Sequence, residues 1–340
     1  MTTVPSIPRI APTLEAVAAE AGVSRSTVSR VVNGSPKVSP DVERAVTAAI
    51  ERLHYIPNRA ARSLANKQTM AIALIIPEDT TRFFGDPYFA AIVQGITRGL
   101  DGSDYVLNLQ IARSHQSDKT ARYLAAGNVD GAFVVSHHFG DQFLGSLAGQ
   151  LPIVFGGRPM RVDGQSAHFV DVDNLAAAAR GTQYLIDKGY SRIAMVTGPS
   201  DMLAALDRTA GWTQTMTAAG LSTERIANGD FSLASGARAM RELLTRFPDL
   251  DSVFVASDLM ATGAIPVLLE RGLSVPGDVA VLGFDDSPAA TNGAIQLTTV
   301  HQPSEAVGAE MARMMLALLR GEPVEQECIM ETHIVERDSV

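Results

Sequence analysis

The sequence predicts an all-α helix-turn-helix headpiece at the N-terminus, followed by an α/β body of two doubly wound parallel-sheet subdomains. Up to residue 53, apolar residues recur every three to four positions, as in amphipathic helices. From residue 70 onward, short continuous apolar runs alternate with helical patterns. Charge also divides the chain. Residues 1–67 hold nine basic and five acidic residues, a net of +4, whereas the other 19 basic and 32 acidic residues give −13.

Two short helices joined by a tight turn begin the headpiece. Thr13 is the expected N-cap of the first helix, and Gly22 can adopt positive φ in the turn that follows it. Ser24 is the expected N-cap of the second helix, which should stop near Gly34. This arrangement predicts a helix-turn-helix, whose second helix fits the DNA major groove.

A third helix should close the headpiece core. Ser39-Pro40-Asp41 is typical of an N-cap, a first-turn proline and an acid at the positive helix end, and an apolar stripe follows up to Leu53. A generic three-helix bundle is the alternative. The basic headpiece on an acidic body favours phosphate binding at one end of the molecule, and therefore DNA binding.

Segments 14–24 and 27–34 resemble the headpiece of the lactose-repressor (LacI/GalR) family of bacterial transcription regulators, and segment 55–64 resembles that family's hinge. The resemblance implies that Arg25, Ser26 and Arg30 read base edges. It assigns Thr13, Ser24, Thr27, Ser29, Asn33, Ser39 and Tyr55 to backbone phosphates, and it places Asn58 and Arg59 of the hinge at DNA as well.

The hinge segment 58–64 could form barely two helical turns, which are unstable in isolation. We therefore expect it to be disordered in the free protein and helical on operator DNA. The family comparison makes Leu64 a wedge that enters the minor groove, a known use of apolar side chains. A buried contact between Leu64 and the headpiece is the alternative.

The predicted domains follow from these patterns. They are a disordered arm (1–12), the headpiece (13–56), a hinge helix and linker (57–69) and the body (70–340). We expect an N-subdomain of about 70–160 plus 302–320 and a C-subdomain of about 161–301 plus 321–337. The predicted strands are 70–76, 130–135, 152–155, 192–196, 252–256 and 279–284, and the helices between them are 90–100, 121–126, 209–218, 235–246 and 259–271. A helix over 304–319 and a short strand region over 327–335 end the chain.

The body also resembles periplasmic sugar-binding proteins, as the family's body does. In such folds a ligand lies at the carboxyl ends of the strands, in a cleft between the subdomains. The residues that the resemblance or their position after a strand assigns to an effector are Tyr88, Phe89, His137, Phe155, Arg208, Phe231, Ser257 and Asp285.

Each assignment has a structural alternative. Asp285 could cap the turn into Ser287-Pro288, and Arg208 could pair with Asp201 or Asp207 at the surface. Phe155 and Phe231 could belong to the core. The adjacent residues His137 and His138 should point to opposite faces of a strand, which argues against a shared metal. Asp171-Val172-Asp173-Asn174 suggests a helix cap and not a calcium loop.

Several function classes are excluded. The chain contains no nucleophile elbow, Walker loop, zinc-protease motif or glycine fingerprint, so we expect neither an enzyme nor a cofactor. The single cysteine, Cys328, excludes an intrachain disulfide framework. No apolar run suits a signal peptide or a membrane helix, and the expected location is the cytoplasm, without membrane partners.

The sequence therefore predicts a repressor whose affinity for near-palindromic operator DNA is set allosterically by a small molecule, with a sugar favoured. A carbohydrate-binding transport protein, a constitutive architectural DNA binder and a regulator with a nucleobase corepressor are the alternatives. Two headpieces reading a near-palindrome imply a homodimer, and no leucine heptads follow residue 319 to join dimers into tetramers.

Overall fold

Three helices form the headpiece, as the sequence predicts. The computed structural model describes residues 12–32, 37–55, 68–112, 117–141, 143–147, 149–160 and 167–340. The headpiece helices are α1 (Leu14–Ala21), α2 (Arg25–Val32) and α3 (Pro40–Leu53). One buried cluster joins them, made of Val17, Ala18, Val28, Val46, Ala49 and Tyr55. Residues 1–11 of the N-terminal arm, Asn33, Gly34 and the hinge residues Asn58, Arg59 and Leu64 lie outside the described residues, and their roles stay predictions.

The N-cap hydrogen bonds of the first two helices agree with the sequence prediction. Thr13 Oγ1 accepts a hydrogen bond from the Ala16 amide at 3.2 Å, and Ser24 Oγ accepts one from the Thr27 amide at 3.1 Å. Gly22 adopts φ 66° and ends α1 in the left-handed conformation. Ser39 occupies the N-cap position of α3, but its side chain makes no capping hydrogen bond, so only part of that prediction is correct.

The body begins at Ala71 and contains two six-stranded sheets. The first sheet is built from parallel strands in the order β11-β5-β4-β3-β1-β2. These strands are β1 (Ala71–Ile76), β2 (Val106–Ile111), β3 (Gly131–Val135), β4 (Ile153–Gly156), β5 (His168–Val172) and β11 (Glu327–Met330). The helices of this half are α4 (Thr80–Gly85), α5 (Pro87–Leu100), α6 (Ser117–Ala125) and α7 (Phe143–Leu147).

The second sheet has the order β12-β10-β9-β8-β6-β7, and only β12 is antiparallel to its neighbour. Its strands are β6 (Ile193–Thr197), β7 (Ile226–Asn228), β8 (Ser252–Val255), β9 (Ala280–Asp285), β10 (Thr298–His301) and β12 (His333–Val335). The remaining helices are α8 (Asn174–Asp187), α9 (Leu203–Ala218), α10 (Leu233–Arg246), α11 (Asp258–Glu270) and α12 (Ser304–Leu319). A 3-10 turn spans Pro288–Ala290.

The central strands have no exposed face, which explains why their sequences are continuously apolar. Every residue of β3 and β6 is buried, because helices cover both faces of each sheet. Helix α12 lies against α5 of the first half at very short range. A Cβ added to Gly95 would lie 1.9 Å from the Glu305 carbonyl oxygen, so only glycine allows these backbones to approach so closely.

The predicted subdomain boundaries need correction. Strand β5 pairs with β4 in the first sheet, so the boundary does not lie within 156–165 or begin the C-subdomain at 161. The segment 321–337 is divided between the halves, since β11 joins the first sheet and β12 the second. The chain therefore crosses between the halves three times: after β5, after β10 and between β11 and β12.

Helices of membrane-spanning length and hydropathy are absent from the described part of the chain. Within those same ranges, no group of three or more metal-ligating side chains is positioned to hold an ion.

Candidate functional site

The carboxyl ends of strands from both sheets meet at one cleft in the body. In each sheet, the strand order reverses beside the first strand, since β1 lies between β2 and β3 and β6 lies between β7 and β8. Such switch points leave a crevice for a ligand in open α/β sheets. The cleft contains about 690 Å³ of space, including solvent at its open mouth.

Six of the eight predicted effector residues line this cleft: Tyr88, His137, Arg208, Phe231, Ser257 and Asp285. The other two do not. Phe89 is 1% exposed and packs in the core beneath the first sheet. Phe155 is buried in the core on the opposite face, where its ring lies edge-on to His137 at 5.4 Å between centroids. Phe89 and Phe155 therefore do not line the cleft, because their rings fill the cores on opposite faces of the first sheet.

Arg208 lies at the centre of the cleft floor, with its side chain only 6% exposed. Its guanidinium donates to Asn174 Oδ1 at 2.9 Å, to the Ala256 carbonyl oxygen at 2.6 Å and to Gln302 Oε1 at 2.8 Å. The group also lies 3.5 Å above the ring of Phe284, a cation–π contact. The alternative surface pairing with Asp201 or Asp207 is therefore excluded by burial.

Asp285 ends β9 beside this arginine, with 3.5 Å between Asp285 Oδ1 and Arg208 Nη1. Burial raises the pKa of Asp285 well above its usual range, while the charge of Arg208 opposes the shift and that of Asp258 adds to it. Asp285 does not cap the following turn, because the Ser287 amide donates to Asp258 Oδ2 at 2.8 Å. Its carboxyl group instead lines the cleft, where it faces Arg208 and accepts a backbone hydrogen bond from Asp258.

A second set of cleft residues was not among the eight predicted effector residues. They are Arg82, Asp86, Ser136, Gly156, Gly157, Arg158, Asp171, Asn174, Met202, Leu203, Ala204 and Gln302. A polar residue at the end of a strand is the sequence signal that could have indicated Asp171 and Gln302. It could not be used because strands β5 and β10 were not predicted. Together with Arg208 and Asp285, the set gives the cleft three arginines and three aspartates, a dense array of donors and acceptors without large net charge.

Asp171 is held rigidly at the end of β5. Its carboxylate accepts hydrogen bonds from the Arg158 amide and the Val172 amide, both at 2.7 Å. Burial nevertheless raises its pKa, and these hydrogen bonds oppose the shift. The neighbouring Asp173 caps α8 by accepting from the Ala176 amide at 2.9 Å, which confirms the helix-cap interpretation of this segment.

An aromatic face and a neutral imidazole complete the lining. Phe231 presents its ring below Arg82, whose guanidinium carbon lies 5.1 Å from the centroid. Burial lowers the pKa of His137 to about 4, so this ring is neutral at pH 7 and offers one donor and one acceptor. Flat apolar surface and paired donor–acceptor groups together suit a ring that carries hydroxyls.

Polar contacts join the two halves of the body around the cleft. Arg158 of the first half pairs with Asp207 on α9 at 2.5 Å. His138 Nδ1 lies 3.0 Å from Asp201 Oδ1, and the Phe139 amide donates to the Asp201 carbonyl oxygen at 3.0 Å. Arg82 donates to the carbonyl oxygen of Asp230. The structure therefore shows the cleft in a closed arrangement.

The headpiece offers a separate polar surface. Arg25, Ser26 and Arg30 are exposed on α2, and the other predicted DNA contacts vary in exposure: Thr13, Ser24 and Ser39 are exposed, Thr27 and Ser29 are half-buried, and Tyr55 is buried in the headpiece core. Arg25 Nε lies 3.1 Å from Glu15 Oε1, an exposed pair that a DNA base could replace at little cost.

Two family profiles match the chain. Residues 13–58 match the profile described as bacterial regulatory proteins, lacI family, and residues 182–340 match a periplasmic binding protein-like domain.

Similar proteins cover nearly the whole chain. The transcriptional regulator CelR of Thermobifida fusca is 43% identical over 96% of this chain and 98% of its own length. A structure described as a CelR–cellobiose complex has a TM-score of 0.77 at 42% identity, covering 97% of this chain and all of that one. The Lac repressor dimer bound to operator and the anti-inducer ONPF has a TM-score of 0.85 at 27% identity, covering 97% and 99%.

Proposed function

The chain belongs to the lacI family of bacterial regulatory proteins, and from this premise we propose how its two sites divide the work of a repressor. It is a DNA-binding transcription regulator that responds to a small molecule. The headpiece reads a near-palindromic operator as part of a homodimer, and the cleft of the body binds the effector. We assign no catalytic activity to the cleft, and the protein acts in the cytoplasm, where the chromosome lies.

The proposed effector is a disaccharide of the cellobiose type. The observation that carries this proposal is the convergence of Arg208, Asp285 and neutral His137 beside the Phe231 ring in one buried cleft. A fork of donors and a carboxylate satisfy paired sugar hydroxyls, and the aromatic ring covers an apolar sugar face. The 43% identity to CelR and the cellobiose in the similar complex support the same class of ligand.

Closure of the cleft provides the link to DNA. A ligand that contacts both halves stabilises the closed arrangement relative to an open one. Closure then changes the orientation of the two halves about the three segments that connect them. In a dimer this reorientation changes the spacing of the two hinges. Operator affinity responds to the effector through that geometry.

A titration tests the proposal. Labelled operator DNA, selected from a random pool, would be bound by the protein and then titrated with cellobiose, monosaccharides and a purine base. We expect the concentration of cellobiose that changes operator affinity to be at least about ten-fold lower than the concentration of a monosaccharide that does so. A response to the purine base alone would identify a nucleobase corepressor. Sugar binding without DNA binding would identify a transport protein. DNA binding that no ligand changes would identify an architectural protein.

Base reading by α2 gives a prediction for the headpiece. Arg25→Ala and Arg30→Ala should each weaken operator binding by about 1–3 kcal/mol, the usual value of a side chain at a base edge. Non-specific DNA should lose less. Arg44→Ala is the matched control, since Arg44 is exposed on α3 and pairs with Asp41. Equal losses of binding free energy on operator and non-specific DNA would show that Arg25 and Arg30 contact phosphates and not bases.

The His138 contact gives a pH prediction for closure. Its hydrogen bond to Glu78, at 3.2 Å, and then its bond to Asp201 raise the pKa of His138 to about 9. Only Asp201 lies across the cleft, so only that part of the shift favours closure. In the open state His138 keeps its bond to Glu78, so its pKa there lies above the ordinary value but below that of the closed state. The contribution to closure is fully present below this open-state pKa and is lost as the pH rises through about 9.

Effector affinity should therefore fall by about 1 kcal/mol between pH 7 and pH 9.5, since the pair is partly exposed and screened. Isothermal calorimetry at several pH values measures this change. His138→Gln should remove the pH dependence, and His168→Gln, at the start of β5 and outside the cleft lining, should keep it. An unchanged alkaline profile in His138→Gln would contradict the assignment.

A further inference from the structure

The turn after β9 has a strained backbone at the point where it presents Asp285 to the cleft. Asp285 has φ 117° and Asp286 has φ 57°, and neither residue is a glycine. Non-glycine residues seldom adopt positive φ, and they remain there only where surrounding contacts hold them. Two consecutive residues in this conformation imply that something fixes the turn.

One set of contacts comes from the end of the chain. Asp286 Oδ1 accepts from Arg337 Nη2 at 2.5 Å, and Asp286 Oδ2 lies 2.9 Å from His301 Nδ1. Both members of the Arg337–Asp286 pair have side chains only 17% exposed. Arg337 is itself anchored, because its Nη1 donates to the Leu297 carbonyl oxygen at 2.8 Å and its amide donates to Thr298 Oγ1 at 2.9 Å.

The other contacts lie beneath the turn. Asp258 accepts from the Ser287 amide at 2.8 Å and from Thr299 Oγ1 at 2.6 Å. The Gln302 amide donates to the Asp285 carbonyl oxygen at 3.1 Å. The backbone on both sides of Asp286 is thus fixed by buried groups, while the side chain of Asp286 depends on Arg337 and His301.

We propose that Arg337 is a positioning residue for the effector, acting through Asp286 on Asp285. By holding the Asp286 carboxylate, it keeps the turn in its left-handed conformation and the Asp285 carboxylate beside Arg208. Arg337 is not among the residues that line the cleft. The segment after β12 therefore controls ligand recognition without touching the ligand, an inference that rests on the proposed function of the cleft.

Calorimetry with cellobiose on the full-length dimer tests this role. Arg337→Met and Asp286→Asn should each weaken binding about ten-fold, the scale set by release of one strained residue. Asparagine tolerates positive φ as well as aspartate does, so Asp286→Asn changes only the charge that holds Arg337 and adds no backbone strain of its own. The double variant should bind no more weakly than either single variant, because both break the same pair. Operator affinity without sugar should stay at the wild-type level.

Arg225→Met is the matched control. The Arg225 side chain is 16% exposed and pairs with Asp249 at 3.5 Å, near edge strand β7 and outside the cleft lining. It should lower the melting temperature without changing affinity for cellobiose. Wild-type affinity in both Arg337→Met and Asp286→Asn would overturn the proposal, whatever their melting temperatures.

The two ideas fail separately. If the wild-type protein binds no cellobiose, the proposed effector is wrong, and a crystal structure of ligand-free Arg337→Met then tests the positioning role. We expect the Asp285 carboxylate to move away from Arg208 and the φ angles of the turn to relax. An unmoved Asp285, still 3.5 Å from Arg208, would overturn the role of Arg337.

Discussion

Replacing Arg208 by methionine is expected to abolish effector binding and to lower the free energy of unfolding by about 3–5 kcal/mol. The guanidinium is buried and satisfies three oxygen acceptors in addition to Asp285. Methionine fills similar space but leaves those acceptors unpaired and removes the positive charge that faces the buried carboxyl group. Removal of one member of a buried pair is costly for that reason.

Two further variants make the measurement specific. Arg208→Lys keeps the charge, but a single ammonium cannot reproduce the planar fork that reaches Asn174, Ala256 and Gln302 together, so binding should remain weak. Arg158→Met removes an arginine from the same cleft whose side chain is 47% exposed, and its cost in stability should be below about 1 kcal/mol. Urea unfolding and calorimetry give both quantities. Sugar binding by Arg208→Met within two-fold of wild type would show that the ligand lies elsewhere.

The fold was largely predictable because its strongest signals are local. All six predicted strands of the body occur, since β1, β3, β4, β6, β8 and β9 are buried and therefore continuously apolar. Edge strand β2 was missed because its side chains are half-exposed and its pattern is mixed. Strand β5 was missed because His168 and Asp171 interrupt its apolar run. That omission displaced the predicted subdomain boundary.

The cleft was predictable only in part, because its residues come from loops that distant pairing brings together. Arg208 and Asp285 are 77 positions apart, and only the folding of the second half brings the Arg208 side chain on α9 beside the end of β9. Aromatic residues were the weaker guide, since a core phenylalanine and a ligand-facing one have the same local sequence pattern. Phe231 lines the cleft, whereas Phe89 and Phe155 do not.

Asp285→Asn should weaken effector binding by about 1.5–3 kcal/mol, the usual contribution of a charge-assisted hydrogen bond. Asparagine has the same shape and tolerates the positive φ at this position, so the change isolates the charge from the backbone. Calorimetry measures the loss, and Asp278→Asn, an exposed site in the loop between α11 and β9, is the control. Unchanged affinity in Asp285→Asn would exclude the carboxylate as a sugar ligand.

Asp285→Asn should also gain stability relative to the wild type as the pH rises. Because burial raises the pKa of Asp285 in the folded state, its contribution is most favourable below the unfolded value near 4 and is lost as the pH rises through the raised value. Asparagine carries no such dependence. The free energy of unfolding of Asp285→Asn relative to wild type should therefore increase from pH 4 toward pH 8. The Asp285 carboxylate lowers stability at neutral pH but is required for ligand binding. Its presence is therefore explained by function and not by folding.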